Sequence, residues 1–117
     1  MFNRPYKPYI PRSIGEIMDK LGSMMLYSPT FEDDSGYFPG RNIDTIFFEL
    51  NEGLKALRKK LGEERYAALV ALSDRMRAHF EADPENKTDD TLKGRALIHE
   101  MEGLLINRKG KAANNGE

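Results

Sequence analysis

The chain has 117 residues, of which 39% are hydrophobic and 32% charged, with no cysteine and a formal net charge of -1 at pH 7. This length suits one domain, and the composition is too apolar for a wholly disordered chain and too polar for a membrane protein. The lack of cysteine excludes disulfides and thiolate metal sites, and the near-neutral charge argues against a general nucleic-acid binder. The N-terminal segment has no apolar signal core, so we expect a cytoplasmic protein with no membrane partner.

Residues 1–12 are predicted to form an extended N-terminal arm. Its three prolines cannot donate helical hydrogen bonds, and its three basic residues give it positive charge. Two interpretations are open: a strap laid over the body of the protein, which we favour, or a flexible arm that becomes ordered on a partner. The strap would be anchored by Phe2, Tyr6, Tyr9 and Ile10.

A first helix is predicted to begin after Ser13 and to end at Ser28-Pro29. Ser13 and Glu16 fit a capping box, in which the hydroxyl accepts from the N–H of Glu16 and the carboxylate accepts from the N–H of Ser13. The apolar stripe that follows is typical of a helix with one buried face. It consists of Ile14, Ile17, Met18, Leu21, Met24 and Met25.

Residues 29–41, PTFEDDSGYFPGR, form a long connection after the first helix. Connections of this length without regular structure are uncommon in compact domains and are often functional. Two interpretations have equal weight: Tyr37 and Phe38 pack into the core beside solvated acids, or the aromatic residues anchor a partner beside acidic groups that select it. The second makes Asp33, Asp34, Tyr37 and Phe38 candidate partner-binding residues.

The second and third helices are predicted over about 42–61 and 63–82. Asn42 is a suitable N-cap, and Gly62 is a natural stop. Apolar residues recur every three or four positions in both helices, so the short connection predicts an antiparallel pair with a shared core. The predicted core residues are Ile43, Phe47, Leu50, Leu54, Leu57, Leu61, Tyr66, Leu69, Val70, Leu72, Met76 and Phe80.

Three features of this helix pair lie off its core seam. Phe48 points away from the seam, so either another element covers the ring, which we favour, or a partner does. A small-residue face would let another helix pack closely on the third helix, at Ala67, Ala68 and Ala71. Basic residues near the end of the second helix suit its dipole, with an anion site as the alternative; they are Lys55, Arg58, Lys59 and Lys60.

Residues 81–90 carry the most one-sided charge in the chain, with five acids against one lysine. Acids are ordinary at the start of a helix, but five exceed what capping requires. The excess favours a binding surface made of Glu81, Asp83, Glu85, Asp89 and Asp90. Thr88 or Asp89 is predicted to cap a fourth helix that runs to about Asn107 and buries Leu97, Ile98, Met101, Leu104 and Leu105.

These elements predict an all-α fold. It is a small bundle of about four helices over residues 13–107, with an extended N-terminal arm and a long loop between helices 1 and 2. The remaining residues, 108–117, are predicted to be a disordered tail.

The sequence contains no recognisable catalytic, cofactor or metal motif. The run His99-Glu100-Met101-Glu102 begins like a zincin helix but lacks the second histidine. The run Asp83-x-Glu85-x-Lys87 starts like a calcium loop but places a lysine where a ligand is needed. His79 and His99 are not brought together by any pattern. We therefore predict a non-enzymatic protein without cofactor or metal.

Three functions fit such a domain: a binding inhibitor, a helical adaptor or chaperone subunit of a larger complex, and a DNA-binding regulator that uses the segment from Lys55 to Arg65 with the basic arm. We favour the inhibitor, because enzymes acting on nucleic acids or phosphate-rich substrates tend to have basic clefts that an acidic surface can find and cover. An apolar face left over would also permit a homodimer.

Three segments carry a family resemblance: Gly36-Tyr37-Phe38-Pro39-Gly40-Arg41-Asn42-Ile43-Asp44, Leu61-Gly62-Glu63-Glu64-Arg65-Tyr66 and Arg77-Ala78-His79-Phe80-Glu81-Ala82-Asp83-Pro84-Glu85. Over about residues 15–105 the chain resembles the small α-helical bacterial immunity proteins of polymorphic-toxin systems, and no role of an individual residue carries over. The resemblance implies an antitoxin-like protein that occludes the active site of a cognate toxin. Without an export signal, a toxin acting in the cytoplasm is implied: a nuclease, a deaminase or an NAD-consuming enzyme.

Overall fold

The computed structural model describes residues 7–32 and 40–106, and within these ranges the chain is helical and contains no β-strand. The helices are α1 (Ile14–Tyr27), α2 (Ile43–Ala56), α3 (Arg58–Leu61), α4 (Glu63–Ala82) and α5 (Asp90–Ile106). The four long helices pack in a ring, since α1 contacts α2 and α5, and α4 contacts α2 and α5. Neighbouring helices run in opposite directions. The predicted all-α bundle is confirmed.

The fifth helix arises because the predicted second helix is interrupted. Leu57 leaves helical geometry at φ -99° and ψ 11°, and the chain then makes one further turn as α3. The N–H of Leu57 still donates to the carbonyls of Gly53 and Leu54. The four-residue step from Leu57 to Leu61 is unchanged, so the apolar pattern of the sequence carries no sign of the break.

The predicted helix starts are confirmed at Ser13 and Asn42, with one difference. Ser13 Oγ accepts from the N–H of Glu16 at 3.1 Å, but the Glu16 carboxylate accepts from the Tyr9 hydroxyl at 2.7 Å and the Arg12 N–H at 2.8 Å. These two hydrogen bonds lower the pKa of Glu16. The α1 capping box is therefore half formed, whereas Asn42 forms a complete one with Thr45.

Residues 7–12 lie as a strap across α1 and α2. Pro11 is buried against Gly53, and the N–H of Tyr9 donates to Glu49 Oε2 at 3.2 Å. Glu49 is itself buried, and its other oxygen lies 2.5 Å from Lys20 Nζ. The Tyr9 ring is exposed, so Pro11, the backbone and the hydrogen bond from the Tyr9 hydroxyl to Glu16 hold this part of the arm. The other two aromatic anchors predicted for it, Phe2 and Tyr6, lie outside the described residues.

The core contains most of the residues that the helical periodicities predict, including the fully buried Leu54, whereas Val70 is only partly buried and lies outside it. Two positions were not predicted to be core: Ile46 is buried, and Phe31 joins the core from the connection after α1. The rings of Phe31 and Phe47 meet edge to face at 5.9 Å, and those of Phe31 and Phe80 at 5.4 Å. This aromatic cluster fills the end of the bundle at which α1 and α4 end.

Two predictions about the surface are wrong. Phe48 is 50% exposed and is not covered by another helix. Ala67, Ala68 and Ala71 are exposed, because α4 turns its other side toward both α2 and α5. A single chain leaves this alanine face of α4 to solvent.

Gly94 is the tightest helix contact with the aromatic cluster, and it gives a testable prediction. A Cβ at this position would lie 2.5 Å from Cε1 of the buried Phe80 ring. Overpacking of this kind costs about 1–3 kcal/mol, and the better helix propensity of alanine offsets about 1 kcal/mol of that. We expect Gly94→Ala to lower the free energy of unfolding by up to about 2 kcal/mol, measured by urea denaturation.

Gly103→Ala is the matched control in the same helix, because nothing lies within 4 Å of a Cβ built there. It should stabilise the protein by about 0.5–1 kcal/mol through helix propensity alone. Equal stabilisation by both substitutions would contradict the close contact between α5 and Phe80.

Candidate protein-binding surface

One end of the bundle holds the connection between α4 and α5 and the described residues on either side of segment 33–39. The guanidinium of Arg95, near the start of α5, donates to Oγ of Ser28 at 2.9 Å and to its carbonyl at 3.2 Å. Arg77, near the end of α4, pairs with Asp44 at the start of α2. We call this end of the bundle the acidic end, after the acids of residues 81–90 that it carries. Four predicted partner-binding residues lie outside the described residues: Asp33, Asp34, Tyr37 and Phe38.

Asp83 is buried, whereas its predicted role as a partner contact requires an exposed side chain. It is 3% exposed. Its Oδ1 accepts from the N–H of Lys87 at 2.7 Å and of Thr88 at 3.1 Å, and its Oδ2 accepts from the hydroxyl of Thr91 at 2.7 Å and the N–H of Thr91 at 3.2 Å. Asp83 therefore fastens the α4–α5 connection and caps the N-terminus of α5, and we do not retain it as a partner contact.

The protonation of Asp83 gives a pH prediction. Burial raises its pKa, but the hydrogen bonds from Thr91, Lys87 and Thr88 outweigh burial and lower the pKa from 3.8 to about 2. The folded state thus binds fewer protons than the unfolded state between these values. The stabilisation from Asp83 should be complete above about pH 4 and lost as the pH falls toward 2. The melting temperature of the wild type, measured over a series of pH values, should therefore decline as the pH falls from about 4 toward 2.

Asp83→Asn removes the charge and replaces one accepting oxygen with an amide N–H₂ group. That group would face the N–H and O–H groups that donate to Asp83. We expect the melting temperature at pH 7 to fall by roughly 10 °C, and the decline in stability between pH 4 and 2 to become shallower. The control is Asp89→Asn in the same connection, because the Asp89 side chain is exposed and makes no hydrogen bond among the described residues. If both variants have the melting temperature of the wild type, Asp83 does not fasten the connection.

The other four predicted acids of this segment reach the surface to different extents. Asp90 Oδ1 lies 2.8 Å from His79 Nδ1, and both side chains are about one-third exposed. Glu81 receives a hydrogen bond from Arg77 and is half exposed. Two acids are more open: Glu85, which pairs with Lys87 at 3.1 Å, and Asp89. Glu81, Glu85 and Asp89 form the exposed carboxylate group of the acidic end.

Basic residues at the opposite end of the bundle serve partly internal contacts. Arg58 makes a bidentate pair with Glu63 and lies 4.7 Å from the centre of the Tyr66 ring. Arg65 donates to the carbonyls of Leu61 and Leu104, near the C-terminal ends of α3 and α5. Lys59 and Lys60 are exposed. Two members of the segment suggested for DNA binding thus hold helix ends together.

Residues 7–32 and 40–106 contain no group of three or more His, Cys, Asp or Glu side chains placed to hold a metal ion. A shallow open groove of about 250 Å³ lies beside the strap and is lined by Tyr9, Pro11, Glu16, Asp19 and Lys20. Glu16 and Lys20 in this groove already have internal partners.

None of the helices described above has the length and apolar character needed to cross a bilayer. Comparison of the chain with protein-family models, curated proteins and solved structures finds no match.

Proposed function

We propose that this protein is a non-enzymatic binding protein, an immunity or antitoxin-like protein that neutralises a cognate cytoplasm-acting toxin by binding it and occluding its active site. The observation that carries the proposal is the exposed carboxylate group Glu81, Glu85 and Asp89. Glu85 and Asp89 are presented by a connection that Asp83 holds with four hydrogen bonds, and Glu81 lies in the last turn of α4. A surface fixed before binding loses less conformational freedom when the complex forms.

The charge of this surface fits the active site of an enzyme that handles phosphate groups. Such clefts are lined with basic side chains, so opposite potentials attract the two proteins before contact and increase the rate of encounter. The attraction acts over about 8–10 Å at physiological salt, so it should weaken as ionic strength rises. The family resemblance described above points to the same class of partner.

A helical adaptor or chaperone subunit is the second candidate function. The exposure of Leu26 (76%) and Leu92 (61%) favours it, because subunits of larger assemblies cover such side chains on assembly. This candidate predicts a partner that belongs to a complex and is not toxic.

The charge test uses the double variant Glu85→Gln/Asp89→Asn. We expect its association with the captured toxin to be slower than wild type by on the order of 5-fold at low salt, with a smaller difference at high salt. Surface plasmon resonance at two salt concentrations measures both rates. Asp83 is left unchanged because neutralising it would disturb the fold.

The control is Glu64→Gln/Glu100→Gln, which removes two exposed carboxylates at positions outside the acidic end. It should associate with the toxin at close to the wild-type rate. An equal effect of both double variants would mean that only net charge matters, and no effect of either would remove this surface from the proposal.

A further inference from the structure

Phe48 is an exposed aromatic side chain that the fold does not use. It lies on α2 beside the seam with α4 and is 50% exposed, whereas the adjacent Phe47 is fully buried. A single exposed apolar residue is ordinary and indicates nothing by itself. The surroundings of Phe48 make it unusual.

Carboxylates bracket Phe48 along its own helix. Asp44 lies one turn before it and Glu52 one turn after it, on the same side of α2. The Asp44 side chain is 77% exposed and that of Glu52 is 40% exposed. An exposed ring between two carboxylates resembles the centre and rim of a binding surface, in which an aromatic anchor is surrounded by polar groups.

The carboxylate on one side of Phe48 is held in place from α4. Arg77 donates to both Asp44 and Glu81, and its guanidinium lies 5.8 Å from the centre of the Phe47 ring. Both carboxylates therefore have fixed positions before any partner arrives. Because Glu81 belongs to the acidic end, the Phe48 surface is continuous with the carboxylates of the proposed function.

We infer that Phe48, between Asp44 and Glu52 and linked to Glu81 through Asp44 and Arg77, is the anchor that docks into an apolar pocket rimmed by basic side chains on a partner protein. The inference rests on the proposed function and names the contact within it. A second copy of this chain is a poor occupant, because the surface carries three carboxylates against Arg77 and Lys55, and a two-fold interface centred on Phe48 would bring two copies of the same acidic excess together. Basic groups on a different protein would instead pair with them.

The first test places a photo-cross-linking phenylalanine analogue at position 48 of the full chain in its native cells. The expected result is an adduct with one other protein, at a peptide containing Lys or Arg. The control places the same analogue at position 92, another exposed apolar site, where no equivalent adduct should form. An adduct with this chain itself, within one molecule or between copies, overturns the inference, as does the absence of an adduct at position 48.

The second test titrates the purified cross-linking partner with Phe48→Ala and with Leu92→Ala. Phe48→Ala should raise Kd by about 100-fold, the range of a buried aromatic anchor, and Leu92→Ala by less than about 2-fold. The isolated Phe48→Ala variant should melt close to the wild type, since the ring is not part of the core. An unchanged Kd, or a large fall in melting temperature, overturns the inference.

These results separate the two proposals. A partner that depends on Phe48 but is harmless supports the docking surface and contradicts the toxin role. A toxic partner that binds Phe48→Ala as tightly as the wild type supports the proposed function and contradicts this surface.

Discussion

Leu54→Ala is expected to lower the free energy of unfolding by about 2–5 kcal/mol. Leu54 is completely buried in α2 and packs within the core between the four long helices. Truncation removes buried methyl groups and leaves a cavity that the surrounding helices can fill only in part. Equilibrium unfolding in urea measures the loss directly.

Leu92→Ala is the control for Leu54→Ala, because Leu92 is a leucine in a helix with most of its side chain exposed. It should change stability by no more than about 0.5 kcal/mol. A similarly small effect at Leu54 would mean that the helical register placing Leu54 in the core is incorrect.

Phe31→Ala is expected to cost about 3–5 kcal/mol. The ring is 1% exposed and is the shared member of the two edge-to-face contacts with Phe47 and Phe80. Its loss would open the end of the core below the acidic end. Urea denaturation measures the cost, and Tyr27→Ala is the control, since Tyr27 is a nearby aromatic residue that is 48% exposed and should cost much less.

The backbone at Phe31 sharpens this experiment. Phe31 has φ 63°, in the left-handed region that non-glycine residues seldom occupy. Alanine would retain that strain and glycine would relieve it, so Phe31→Gly should be no less stable than Phe31→Ala. If Phe31→Gly is less stable than Phe31→Ala by more than about 1 kcal/mol, as at an ordinary helix position, the strained geometry is contradicted.

The helices and most of the core could be predicted from the sequence because their causes are local. Ser13 and Asn42 are caps that act within three residues, and Pro29, Gly62 and Pro84 stop helices by their own backbone chemistry. Apolar periodicity then fixes which side of each helix faces inward. Apart from Phe31 and Ile46, the core positions from Ile17 to Leu105 follow from these two kinds of signal.

The features that the sequence did not predict depend on how the helices meet. Phe48 and the alanine face of α4 are exposed because each helix has only two long-helix neighbours in the ring. Periodicity identifies an apolar or small-residue face without saying which neighbour reaches it. The one-turn α3 was missed for a different reason, since the break at Leu57 preserves the spacing of apolar residues.

Asp83 shows how far the sequence alone could predict the residues of the candidate surface. In composition it is one of five acids, and the charge pattern alone does not distinguish it from Glu85 or Asp89. Its position at the end of a helix, before a proline and eight residues ahead of Thr91, was the available signal for an internal cap. Aspartate side chains commonly accept hydrogen bonds from nearby backbone N–H groups in turns.

The most direct measurement of the central claim is the toxicity of the bound partner. Tagged protein is recovered from its native cells at two salt concentrations, and the dominant stoichiometric partner is expressed alone and together with this protein. The proposed function predicts that the partner arrests growth alone and is tolerated in the presence of this protein. A partner that is harmless alone, such as a subunit of a larger assembly, would contradict the inhibitor role and favour the adaptor.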